Sequence, residues 1–219
     1  MTTDTSPARD RAGRAATPAP GQARGDPRRF NVKAWLLWTA AFVSFPIAGI
    51  AAQAAVGRIN DAAAALTGGL IAGAVIGAGQ WLAARRLLGG PLAWITATAA
   101  AMGIGLLAGA WAAGYGTSVG ELAAMGAITG LPVGAAQAFL LRGRLARPWA
   151  WAVAMPPLWA LGWTVTAAAG VGVDSQYAVF GAFGAITVMA LSGILLDRLH
   201  ATTPATPTPQ PQTAATAQL

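Results

Sequence analysis

The chain has 219 residues, of which 55% are hydrophobic and only 10% charged, and it contains no cysteine. So little charge cannot cover a water-exposed surface, and the lack of cysteine excludes disulfides, thiolate metal sites and a cysteine nucleophile. The formal charge of +7 follows position along the chain, so it reads as a topology signal and not as a nucleic-acid-binding patch.

Residues 1–29 are rich in Ala, Pro, Thr, Arg and Gly without an apolar run. They cannot bury a core and are expected to form a disordered cytoplasmic tail. A membrane domain follows over residues 30–200. Its six apolar stretches run from Ala34 to Val56, Ala62 to Ala84, Leu92 to Gly114, Val119 to Leu141, Trp149 to Val171 and Tyr177 to Leu196. Each is near the roughly 20 residues that a bilayer-spanning helix requires. The first is too long for a signal-peptide core and is expected to be a retained span. Helix is the expected conformation throughout, because backbone polar groups in lipid must be satisfied within the segment. Residues 201–219 are uncharged and proline-rich, which predicts an extended, solvated Thr/Pro tail.

The basic residues alternate with the spans. The N-terminal tail, the loop at Arg85 and Arg86, the loop with Arg142, Arg144 and Arg147, and the end at Arg198 hold 13 of the 14 Lys and Arg, whereas the opposite loops hold only Arg58. Cationic loops stay in the cytoplasm. A cell-membrane protein with both termini inside is therefore expected.

An internal repeat organises the spans. Gly69, Gly73, Gly77, Gln80 and Arg85 recur 57 residues later as Gly126, Gly130, Gly134, Gln137 and Arg142. Trp94 and Trp151 keep the same offset, and Gly184 to Thr187 repeats the GAIT of Gly126 to Thr129. The expected fold is an all-α transmembrane six-helix bundle of three parallel helical hairpins, over about 33–88, 91–145 and 148–200. Each hairpin has a Trp-led outgoing helix and a small-residue return. The third copy is weaker, because Leu195 stands where the other two have glutamine.

Residues four apart nearly stack on a helix face. The glycine rows Gly69, Gly73, Gly77 and Gly126, Gly130, Gly134 are therefore expected to be packing faces for close helix approach. Gln80 and Gln137 leave two readings open: interhelical hydrogen bonding, or the lining of a polar cavity that faces the cytoplasm. Pro46, Pro132, Pro156 and Pro157 are expected to kink their spans. On the outer side, Arg58, Asp61, Glu121 and Asp174 are either solvated loop ends or an acidic rim with one counter-ion.

No Asp, Glu, Lys, Arg or His falls deep within a span, which disfavours ion-coupled carriers and proton relays. The single His is His200, beyond the last span, and the single Lys is Lys33. A metal site, a retinal Schiff base and Ser–His–Asp chemistry thus lack their residues. No enzyme activity and no cofactor are expected. The expected surroundings are the lipid bilayer and a membrane-protein partner or a second copy, with no nucleic acid.

The G-x-x-x-G-x-x-Q-x-x-x-x-R pattern, at Gly73, Gly77, Gln80, Arg85 and again at Gly130, Gly134, Gln137, Arg142, resembles that of multi-pass bacterial membrane proteins of unassigned function. The resemblance implies a membrane-embedded repeat fold and no particular activity. Two function classes follow from the sequence: a structural or partner-binding membrane subunit, or a small-solute or lipid-binding permeation protein with a cavity near Gln80 and Gln137.

Overall fold

A computed structural model describes residues 30–172 and 177–201. The expected tails at 1–29 and beyond Ala201 lie outside the described residues, as does Asp174. Among the described residues there is no strand, and the helices are α1 (Val32–Ala40), α2 (Ser44–Val56), α3 (Ala62–Leu88), α4 (Pro91–Ala112), α5 (Val119–Leu140), α6 (Pro148–Ala168) and α7 (Ala182–Ala201). A single 3-10 turn, Ala41–Val43, joins α1 to α2 into one rod. The chain is a multi-pass membrane protein: Val32–Val56, Ala62–Leu88, Pro91–Ala112, Val119–Leu140 and Ala182–His200 are each long and apolar enough to cross a bilayer. The 21-residue α6 is less apolar because it carries four tryptophans and three prolines, yet it holds no charged residue.

The rods form a closed ring. Each packs on its neighbours in sequence, and α7 closes on α1. Short connections enforce the alternation of direction, the shortest being Gly89 and Gly90 between α3 and α4. Gly89 adopts φ +79°, a conformation that glycine enters without a Cβ penalty. The basic loops therefore gather at one end of the bundle, where Arg144 packs over Gly89.

The prolines act unequally. Pro46 has no N–H, and its ring crowds the carbonyl four residues back. That residue is Phe42, inside the 3-10 turn, so the rod breaks helical register there. By contrast, α5 and α6 continue through Pro132 and through Pro156 and Pro157. Neither span is split into two helices there. A break appears instead in α3 at Ala84 (φ −129°, ψ 30°), where no proline stands. The Trp81 indole bridges the break by donating to the Gly89 carbonyl at 2.8 Å.

The last span starts later than expected. Tyr177 to Gly181 is not helical. Ala178, Val179 and Phe180 turn into the bundle and are buried, held where the Gly181 N–H donates to the Thr166 hydroxyl at 3.0 Å. Phe180 stacks on Phe45 (centroids 5.1 Å) and meets the edges of Trp159 (5.3 Å) and Trp163 (6.0 Å). These four rings fill the interior toward the end opposite the basic loops, where aromatic contacts add to the burial of large apolar surface.

Candidate functional site: a buried glutamine–tryptophan network

The glycine rows set backbone against backbone. A Cβ on Gly69 would lie 2.8 Å from the Met102 carbonyl oxygen, and one on Gly73 would lie 2.8 Å from that of Thr98, both on α4. On α5, a Cβ at Gly130 would lie 2.8 Å from the Met155 carbonyl oxygen and one at Gly134 2.8 Å from that of Ala152. Gly126 faces the Trp159 carbonyl and the Trp163 ring, and Gly77 faces Ile95 and Thr98. The Ala152 carbonyl is the one that Pro156 leaves without its helical donor, so the glycine face of α5 receives a carbonyl freed by proline.

This close approach brings Gln80 and Gln137 together across the ring, near its basic end. The Gln137 side-chain amide donates to Gln80 Oε1 at 3.0 Å and to the Thr98 hydroxyl at 3.3 Å. The Trp94 indole donates to Gln80 Oε1 at 3.2 Å, and the Trp151 indole donates to Gln137 Oε1 at 3.1 Å. The indoles fix both amide orientations. An indole N–H can only donate, so each must face a carbonyl oxygen, and the Gln137 NH₂ is then the group that points at Gln80. Exposure is 6% for Gln80 and 1% for Gln137. An unpaired amide would be costly at this burial, so the bonds between these side chains favour one register of their helices.

A third indole follows the same rule. Trp38 on α1 donates to the Ser192 hydroxyl on α7 at 3.0 Å, and Trp35 donates to the Ala190 carbonyl at 2.9 Å. Trp38 also meets Trp151 edge-on, with centroids 5.9 Å apart. Leu195 is only partly buried here, and Ser192, one helical turn earlier, takes the indole.

The remaining candidate residues are not drawn into this network. Asp61 caps α3, accepting the Ala64 N–H at 2.8 Å. Glu121 closes a capping box with Ser118, accepting the Ser118 N–H at 2.9 Å. Both carboxylates therefore satisfy backbone donors at helix N-termini. Arg58 lies exposed in the α2–α3 connection.

Sequence reasoning missed the indole donors, although their signal is present. Gln80 to Trp94 and Gln137 to Trp151 are both 14 residues apart, which spans one short connection and returns to the same depth. A cavity of about 650 Å³ lies at the basic end between α1, α3 and α7, and neither glutamine lines it. Among the described residues no group of three or more His, Cys, Asp or Glu could hold a metal ion. No family model, no curated protein and no solved structure matches the chain.

Proposed function

We propose that this chain is a structural or partner-binding subunit of the cell membrane, without catalysis, built of three parallel helical hairpins with both termini in the cytoplasm. In this reading α6 also crosses the bilayer, as the fifth of six spans. Its partner is another membrane protein or a second copy, met through the apolar surface that carries Leu92, Ile104 and Trp111, all well exposed.

One observation carries the reading: the two buried glutamines near the basic end are bonded to each other and to two indoles rather than to a water-filled space. The aromatic plug toward the outer end supports it further. A permeation path along the glutamines would need both features to open.

The chain has no native cysteine, so single-cysteine labelling tests this directly. Gln80→Cys and Gln137→Cys should react with a small charged thiol reagent no faster than the lipid-facing control Ile104→Cys. Ala34→Cys, which lines the cavity, should react fast. Rapid labelling at both glutamine positions in folded protein would sink the dry-network reading and favour a solute path.

A further inference from the structure

The cavity at the basic end lies where α7 closes on α1 beside the end of α3. Its lining includes Trp35 and Trp38 from α1, Gly193 and Leu196 from α7, and residues 82–87 of α3. The break at Ala84 turns the end of α3 out of helical register, and Arg85 and Arg86 lie at the wall beside Lys33. The lining is thus divided. One part carries three cations, and the other carries Leu37 and Leu82, which are 50% and 64% exposed and reach the lipid-facing surface.

Lys33, Arg85 and Arg86 have no ion-pair partner among the described residues. Asp197 also lines the cavity, but it accepts the Asn31 N–H at 3.1 Å. His200 stands at the same wall, with its Nδ1 3.5 Å from the Arg144 carbonyl oxygen. Basic residues at this end are already explained by topology. Topology does not require that cations from two separate helices share one cavity with an apolar side exit.

We propose that this cavity binds one anionic phospholipid, with its phosphate between Lys33, Arg85 and Arg86 and an acyl chain along Leu37 and Leu82. The volume falls in the range of small-molecule sites, and the amphipathic lining matches an amphipathic ligand. A free phosphate would leave the apolar half without purpose. Juxtamembrane cations also sit in the field of anionic headgroups, which favours such a lipid at this depth.

The experiment uses the full chain in a neutral detergent and titrates phosphatidylglycerol, phosphatidylcholine or inorganic phosphate while following thermal unfolding. A ligand that binds only the folded state raises the apparent melting temperature. Phosphatidylglycerol should stabilise at concentrations at least tenfold lower than phosphatidylcholine does. Arg85→Gln with Arg86→Gln should weaken this effect roughly tenfold or more, whereas Arg142→Gln with Arg147→Gln, which removes the same charge from the same end, should leave it within about twofold. Ala34→Phe fills the cavity without changing charge and should weaken it as well. Equal stabilisation by phosphatidylcholine, equal loss in the Arg142 and Arg147 control, or an unaltered response in Ala34→Phe would overturn the site. The same stabilisation by inorganic phosphate would overturn the lipid assignment. None of these outcomes depends on whether the glutamine network is dry.

Discussion

Within α3/α4 and α5/α6, glycines let one backbone touch another, and a glutamine on the glycine-bearing helix receives the facing indole. Where α7 meets α1, Gly193 faces the Trp35 and Trp38 side chains instead of backbone, and a serine receives the indole. The depleted closure is also where the cavity lies. Thr39 Oγ1 and Gln53 Oε1, the buried side-chain atoms without a hydrogen-bond partner among the described residues, both belong to the first span. The difference teaches that a tryptophan–acceptor contact can close a helix pair by itself, but glycine-mediated backbone contact is what makes that pair dense.

The comparison breaks most visibly at the glycines. Gly73→Ala and Gly130→Ala each drive a Cβ into a facing backbone, which cannot move aside as a side chain can. About 2–3 kcal/mol of destabilisation is expected for each, read by unfolding in mixed detergent micelles. Gly193→Ala meets indole rings that can shift, and should cost about 1 kcal/mol or less. Equal costs at all three positions would remove the distinction between dense and loose closures.

Next in size is Gln137→Leu. It strands the Trp151 indole and removes a donor from Gln80 and Thr98, at an expected cost of about 1–2 kcal/mol. Gln80→Leu with Gln137→Leu should cost less than the sum of the single changes, since the two share a bond. Strict additivity in that cycle would show that the amides do not interact. The smallest effect is expected from Ser192→Ala, about 0.5 kcal/mol, because Trp38 keeps its edge contact with Trp151. A cost equal to that of Gln137→Leu would place the third closure on the same footing as the other two.

The sequence made some of this legible and hid the rest for identifiable reasons. Hydropathy located the first four spans to within a few residues, because length and charge exclusion act on them alike. The four-residue glycine spacing pointed to the contact faces, and the 57-residue offset put Gln80 and Gln137 at matching depth. The capping box at Ser118 and Glu121 is legible as S-x-x-E, and it gives the acid a helix-capping role. Ser192 stayed hidden because strict repeat alignment pointed to Leu195. The inward fold of Ala178 to Phe180 and the break at Ala84 go with particular side-chain-to-backbone bonds, Gly181 with Thr166 in one case and Trp81 with Gly89 in the other. Local pattern carries no trace of them. Proline marked the break before Pro46, whereas α5 and α6 each run on as one helix through theirs.

Closure of α7 on α1 also bears on the order of assembly during synthesis. The helices α3 and α4, and then α5 and α6, can pair as soon as both members are inserted, since their contacts are local in the chain. The partners of Trp35 and Trp38 lie some 155 and 154 residues away. The first segment to enter the bilayer therefore waits, tryptophan face unpaired, until the last one leaves the ribosome. A nascent chain halted before Ala182 would leave the first rod packed on α3 with its α7-facing side open, the form in which an insertion factor would have most to shield.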